Sequence, residues 1–149
     1  MNLKSSTHTF QTLTPQQLYA YLQLRSEVFV VEQNCVYQDL DNLDQDSLHV
    51  FIHDQDALVA CARIVPANEK YPVISIGRVI VAAAYRKQQL GHALMQYCIA
   101  EIDKHYGPQK IVLSAQAHLQ NFYKKHNFTP QGKIYLEDGI PHIHMERIQ

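Results

Sequence analysis

The stretch VISIGRVIVAAAYRKQQLGHALM, residues 73–95, runs from a β-rich segment through a short polar connection into a helix. Its β-branched residues predict a strand over 73–81, and apolar residues at helical spacing predict a helix over 90–104. Arg86 and Lys87 stand at the entry to this helix, where acidic residues are more usual. Free backbone N–H groups between a strand and a helix, beside two cations, predict an anion site. A solvated basic turn without a ligand is the alternative.

Strands and helices are predicted to alternate on both sides of this stretch. Thr14 as N-cap, Pro15 in the first helical position and Gln17 as capping-box partner predict the start of a first helix. The resulting order is β-α-β-β-β-α-β-α-β-β, an α/β chain that we expect to form one domain over 1–149. The other predicted segments are a strand near Thr7–Leu13, a hairpin over 48–54 and 57–66, a buried strand over 110–115, a short helix over 120–126 and two strands within 133–148.

Composition restricts the partners and the compartment. The formal net charge of -1 provides no bulk attraction to nucleic acid or to an anionic membrane, so the partner is expected to be a small molecule. The first residues lack the apolar core of a signal peptide, and no apolar run reaches the length of a membrane span, which predicts a cytoplasmic protein. Cys35, Cys61 and Cys98 are odd in number and widely spaced, and we expect them to be reduced, buried thiols. A homodimer is possible by default for a small enzyme.

The helix entry resembles a motif of the GNAT superfamily of acyl-CoA-dependent N-acetyltransferases. In that family a strand of the type VxV leads into Arg-x-x-Gly-x-Gly/Ala, whose backbone N–H groups hold the pyrophosphate of coenzyme A. Here VIV, residues 79–81, precedes Arg86 and Gly91, which match, whereas Gln89 replaces the middle glycine. A shifted register, from Gln88 to Ala93, is the alternative alignment. The absence of a Cβ at Gly91 is expected to let a ligand approach the helix closely.

A second stretch, AHLQNFYKKHNF at 117–128, resembles the LYxxxGF segment of the same family and implies that Tyr123 is the general acid. Gln116 stands where the family commonly has Asn. Four blocks, VFVVEQNCVYQDLD, IGRVIV, AQAHLQNFY and EDGIPHIHM, are similar to the ElaA-like branch of the family. The resemblance covers nearly the whole chain and implies a mixed, mostly antiparallel sheet flanked by helices.

The resemblance also implies a reaction, in which an acetyl group passes from acetyl-CoA directly to an amine without a covalent enzyme intermediate or a metal. A backbone N–H near Val79 would bind the thioester carbonyl, and Tyr123 would protonate the leaving thiolate. The implied cofactor-binding residues are Val79, Ile80, Val81, Arg86, Lys87, Gln88, Gln89, Leu90, Gly91, His92, Gln116 and Asn121.

The general base is not identified by any single motif. An amine is almost fully protonated at neutral pH, so a carboxylate or an imidazole has to remove its proton. Family members often carry a Glu on the central strand, and this chain does not. Glu32 and His142 are the two candidates, and Glu27 and His49 are further alternatives. The missing carboxylate and Gln89 also leave open a non-catalytic acyl-CoA-binding module.

Two other groups of polar residues suggest weaker possibilities. The acidic loop with Asp39, Asp41, Asp44 and Asp46 lacks the pattern of a calcium loop, so it is expected to be solvated or to recruit a cationic amine. His142 and His144 share one face of a strand, but no third metal ligand is evident.

Overall fold

The computed structural model describes residues 1–148, in which seven strands form one mixed sheet with three helices packed against it. The predicted element order and the mixed, mostly antiparallel sheet are confirmed. In chain order the elements are β1 (Leu3–Thr9), α1 (Pro15–Arg25), β2 (Leu48–Asp54), β3 (Ala57–Val65), β4 (Ile74–Val81), α2 (Leu90–Tyr106), β5 (Ile111–Gln116), α3 (Gln120–Lys124), β6 (Thr129–Glu137) and β7 (Ile140–Arg147). Across the sheet the strands lie in the order β1-β2-β3-β4-β5-β7-β6. None of the helices within 1–148 has the length and apolar character that a membrane span requires.

The start of α1 forms the predicted capping box. Thr14 Oγ1 accepts the Gln17 N–H at 3.1 Å, and Gln17 Oε1 accepts the Thr14 N–H at 2.9 Å. Beyond Arg25 the helix continues as π-helical turns over Ser26–Glu32. The prediction for the first strand was wrong at its C-terminal end, because Thr9 caps a 3₁₀ turn over Phe10–Thr12 and so stops the strand.

The two faces of the sheet are covered by different helices. On one face α2 buries residues such as Leu94 and Ile102 against the strands. On the other face Tyr21 of α1 packs with Phe51 and Cys61 of the central strands. All three cysteines are buried and free, as predicted, and burial raises the pKa of the Cys61 thiol to about 12. These two cores hold the sheet as a rigid support for the loops at its edge.

Strand β4 contains an extra residue where it faces β3. Arg63 pairs with Gly77, but Cys61 pairs with Ile80, so two steps along β3 correspond to three along β4. Arg78, inside this bulge, has a left-handed φ of 51°. Because of this extra residue, each later side chain of β4 points to the opposite face of the sheet from the one that strict alternation would give it.

A gap opens between β4 and β5 after Ser75, just before the bulge. These two strands are parallel and pair at Ile74 with Ile111 and at Ser75 with Val112, after which the pairing ends. The C-terminal ends of the two strands therefore diverge. In α/β sheets this end of the strands is where ligands are usually held.

The loop from β4 to α2 is tighter than its sequence suggests. It passes through a 3₁₀ turn over Ala83–Tyr85, and Lys87 and Gln89 take left-handed φ values of 65° and 62°. Because of these turns α2 begins at Leu90 rather than around Arg86. The first N–H of α2 that bonds back to the chain belongs to Ala93 and reaches the Gln89 carbonyl at 3.2 Å. The N–H groups before it have no acceptor inside the helix and point out of its start.

A buried ion network joins α1, the acidic loop, β3 and β4. The expectation of a solvated acidic loop was wrong, because arginines from three elements bind three of its aspartates. Arg25 and Arg63 are 0% and 1% exposed, and Arg25 Nη1 lies 2.7 Å from Asp44 Oδ1. The ion pairs are Arg25 with Asp39 and Asp44, Arg63 with Asp41 and Asp44, and Arg78 with Asp39 and Asp41.

The network also changes the protonation of its members. Burial by itself would raise the pKa of Asp44, but the hydrogen bonds and charges of Arg25 and Arg63 outweigh it and lower that pKa. The carboxylate therefore stays ionised inside the protein. His49 completes the arrangement, because its Nε2–H donates to the Asp44 carbonyl at 2.8 Å and its Nδ1 accepts the Tyr21 hydroxyl at 2.8 Å.

We predict that Arg25→Met lowers the free energy of unfolding by about 3–5 kcal/mol, because it leaves buried carboxylates without their partner. Urea unfolding followed by circular dichroism measures this change. Arg86→Met is the matched control, since the Arg86–Glu32 pair is 40% exposed on both sides. Its cost should stay below about 1 kcal/mol. Equal losses for the two variants would contradict the assigned importance of the network.

We predict that Gln89→Gly raises the free energy of unfolding by up to about 1 kcal/mol, because the left-handed conformation is costly for a residue with a Cβ. Gln88→Gly is the control, since the φ of Gln88 is not positive. It should lower the free energy of unfolding by about 0.5–1 kcal/mol. Thermal and urea unfolding of both variants decide the sign, and a loss of stability in Gln89→Gly would contradict the prediction.

Candidate active site

A cavity of about 530 Å³ lies at the gap between β4 and β5. This volume falls in the range of small-molecule sites. Its walls come from both faces of the sheet, since the gap connects them. The lining residues discussed below are Phe29, Tyr37, Asp41, Arg63, Lys70, Tyr71, Arg78, Val79, Ser114, Gln116, Tyr123, Glu137, Asp138 and His142.

Tyr123 reaches this cavity from α3. Its ring packs edge-to-face against Phe122 and Phe128, with centroids 5.0 and 6.1 Å away. Burial, with a smaller contribution from Cys98, raises the pKa of the phenol well above its usual value. Among residues 1–148 its hydroxyl has no hydrogen-bond partner, yet it is not one of the fully buried polar atoms. The hydroxyl is therefore a protonated donor accessible to a ligand.

His142 reaches the same cavity from β7. Its Nδ1–H donates to the Ile140 carbonyl at 2.7 Å, and its ring stacks on Tyr135 with centroids 6.3 Å apart. Nε2 is then the nitrogen with a free lone pair in the neutral ring. It lies 3.4 Å from Glu137 Oε2. The structure thus brings Tyr123 and His142 to one cavity.

The other candidate bases lie elsewhere. The Glu32 carboxylate binds the Arg86 guanidinium at 2.7 and 3.0 Å, beside the β4–α2 loop and away from the cavity lining. Glu27 is exposed on the π-helical extension of α1. His49 is 0% exposed, and burial lowers its pKa, so it is a neutral member of the ion network. None of these three is placed with Tyr123.

Several side chains around the β4–α2 loop form contacts within the protein. Arg86, besides binding Glu32, donates its Nε–H to the Val81 carbonyl at 3.0 Å. A Cβ built on Gly91 would lie 3.2 Å from Cε1 of Phe122, so this glycine lets α2 and α3 approach each other. His92 Nδ1 lies 2.9 Å from His126 Nε2. Besides the exposed side chain of Lys87, the loop offers backbone N–H donors, from Lys87 to the first turn of α2.

The remaining predicted residues are divided between the cavity and other places. Val79 and Gln116 line the cavity, from β4 and from the end of β5. Ile80 is 2% exposed in the core beneath α1. Asn121 is exposed on α3 and is not part of the cavity wall.

Glu137 is a cavity residue that sequence reasoning missed. It ends β6 beside the Asp138–Gly139 turn, and it pairs with Ile140, while Tyr135 pairs with His142. The alternation of a hairpin therefore puts Glu137 and His142 on one face. The EDGIPHIH motif contains the signal, because a two-residue turn defines this register.

His144, the other histidine of β7, lies near the carboxylate of Glu146. His144 Nε2 lies 3.6 Å from Glu146 Oε1, outside the cavity wall. Within the described part of the chain, no three His, Cys, Asp or Glu side chains are grouped so that they could hold a metal ion.

Comparison with known proteins identifies the family of this chain. The family model for the acetyltransferase (GNAT) domain matches residues 9–148. Protein ElaA of Escherichia coli (strain K12) is 47% identical over 137 residues, which are 91% of this chain and 90% of that protein. The crystal structure of an acyl-CoA N-acyltransferase from Pseudomonas aeruginosa has a TM-score of 0.92 at 41% identity, with 97% of this chain and 99% of that chain covered. Escherichia coli ElaA has a TM-score of 0.91 at 44% identity, with the same coverage.

The resemblance drawn from the loop and hairpin motifs is therefore confirmed. The match extends along nearly the whole chain in sequence and in backbone structure. The chain belongs to the GNAT acetyltransferase family, in which it is similar to the ElaA proteins.

Proposed function

We propose that this protein transfers an acetyl group from acetyl-CoA directly to an amine. The observation that supports it best is the gap between β4 and β5, where one cavity holds Tyr123 and His142. Membership of an acyltransferase family supports the reaction class. The proposal includes one GNAT-type domain over 1–149 and a cytoplasmic location, in keeping with three free thiols.

The donor is expected to bind along β4 and the start of α2. Backbone N–H groups from Lys87 to His92 point out of the helix start and suit a pyrophosphate. The side chain of Lys87 adds a positive charge. The pantetheine arm would follow the edge of β4 that the gap exposes, with the N–H near Val79 at the thioester carbonyl.

The acid and the base then act on opposite sides of the thioester. His142 Nε2 takes a proton from the acceptor ammonium, and the freed amine nitrogen attacks the carbonyl carbon. When the C–S bond breaks, Tyr123 gives its proton to the thiolate, and the second proton of the nitrogen replaces it. The products are the amide, the free thiol and one proton returned to solvent from His142.

The phenol is suited to this acid role. Its pKa is raised by burial, so it is protonated when the donor binds, and the proton that the attacking nitrogen loses replaces the one that it gives to the thiolate. Glu32 remains a predicted base, but its carboxylate is bound to Arg86, and for this reason the proposal gives the base role to His142.

Acetyl-CoA and coenzyme A should both bind to the purified protein, with measurable heat in isothermal calorimetry. Lys87→Gln should weaken binding by up to about fivefold, because it removes one exposed charge and leaves the backbone donors. Lys104→Gln, near the other end of α2, is the matched control and should not alter the affinity. If the wild-type protein takes up neither ligand, the proposed function is wrong.

Tyr123→Phe should reduce turnover by about a hundredfold or more, because it removes the general acid. The measurement is thiol release from acetyl-CoA with an amine found in a screen of polyamines, amino acids and peptides. Acetyl-CoA affinity should not change. Tyr97→Phe is the control, since Tyr97 lies on α2 near Glu101 and away from the cavity.

Unchanged turnover in Tyr123→Phe would remove the phenol from the mechanism. Thiol release that stays at the background rate with every amine, despite donor binding, would instead favour the non-catalytic acyl-CoA-binding module.

A further inference from the structure

The Glu137 side chain lines the cavity, and the hydroxyl of Ser114 binds its carboxylate. Ser114 Oγ donates to its Oε1 at 3.3 Å, and the Ser114 hydroxyl is itself hydrogen-bonded to the hydroxyl of Tyr135. Its other oxygen lies 3.4 Å from His142 Nε2. Ser114 belongs to β5 and His142 to β7, so contacts from two strands give the side chain a defined orientation although it is 41% exposed.

The charge of Glu137 is not neutralised by arginines, as the charge of Asp41 in the same cavity is. Asp41 lies 2.7 Å from Arg63 Nη1 and also binds Arg78. In the described residues, the ion pair of Glu137 is with His142 alone, which carries a charge only when it is protonated. When His142 is neutral, no cation among the described residues lies within ion-pair distance of the Glu137 carboxylate.

The segment between β3 and β4 adds Lys70 and Tyr71 to the cavity wall. The Lys70 ammonium lies over the Tyr71 ring, 5.6 Å from its centroid, and not within ion-pair distance of Glu137. Burial lowers the pKa of Lys70, and the negative charge of Glu137 opposes this effect. Lys70 and Glu137 thus line one cavity without forming an ion pair, so the carboxylate is available to the charged end of a ligand.

We propose that Glu137 binds the ammonium group of the acceptor and presents it to Nε2 of His142. The inference rests on the proposed function and names its substrate class, a primary amine that enters in its protonated form. A charge-assisted N–H···O bond to Glu137 selects the cation and orients it.

The carboxylate also assists the proton transfer. One N–H bond of the ammonium breaks, the proton forms a bond to His142 Nε2, and the electron pair stays on the amine nitrogen for attack. The imidazolium that results is stabilised by Glu137 on one side and by the Ile140 carbonyl at Nδ1 on the other. Glu137 is thus a binding residue before the step and a counter-ion after it.

The test uses protein saturated with coenzyme A, which cannot react, and butylammonium chloride as the probe in an NMR titration. The Glu137→Gln variant keeps the shape and the hydrogen bond from Ser114 but loses the charge. It should bind butylammonium about tenfold more weakly than wild type. 1-Butanol, which has no charge, should bind the two proteins equally.

Glu69→Gln is the matched control, because it makes the same substitution at an exposed residue on the segment between β3 and β4, outside the cavity wall. Its affinity for butylammonium should stay within about twofold of wild type. An equal loss in both variants would show a diffuse negative field rather than a site and would overturn the inference.

Two further outcomes overturn it as well, namely no binding of butylammonium to wild type and equal binding to wild type and Glu137→Gln. With an amine found by the thiol-release screen, Glu137→Gln should raise the KM for the amine about tenfold and leave the KM for acetyl-CoA unchanged. Calorimetry with coenzyme A reports on the proposed function separately. Donor binding that persists while the titrations fail would reject the Glu137 site and not the donor site.

Discussion

The extra residue in β4 is the constraint on which the rest of the structure depends. It follows Ser75, the last residue of β4 that pairs with β5, so it lies where the two strands separate. The cavity occupies this gap, and residues of the bulge line it. The bulge places Arg78 in a left-handed conformation that is unfavourable for a residue with a side chain. Another interaction therefore has to stabilise this conformation of Arg78.

The ion network provides that interaction. Arg78 Nε donates to Asp39 Oδ1 at 2.7 Å, and the guanidinium lies about equally far from the rings of Phe29 and Tyr37. Three arginines and three aspartates take part, so the formal charges of the network cancel. The acidic loop therefore supports the bulge and adds little net field to the cavity. Under the proposed function, the charge that an acceptor meets comes from the β6–β7 hairpin instead.

Local signals in the sequence predicted the fold well. The Thr14 capping box, the hairpins and the helix after Val81 depend on neighbouring residues, and the structure contains each of them. Interactions between distant residues were not predictable in this way. Nothing near the acidic loop in sequence reveals that Arg63 and Arg78 bind it.

The same division applies to the candidate site. A motif predicted Tyr123, and His142 was one candidate among several, because one sequence does not show which side chains share a cavity. Glu137 was missed for lack of a family motif, although the register of its hairpin places it beside His142. A motif also predicted Arg86 as a cofactor-binding residue. Its ion pair with Glu32 could not be predicted, because the two residues lie far apart in the chain.

The contact between Gly91 and Phe122 has a mechanical consequence. Gly91 belongs to the helix whose start would carry the diphosphate, and Phe122 precedes the phenol in the next helix. A Cβ added to Gly91 would lie only 3.2 Å from the Phe122 ring, so the two helices are in close contact at this point. Under the proposed function, donor binding and the position of the acid are linked through a single aromatic ring.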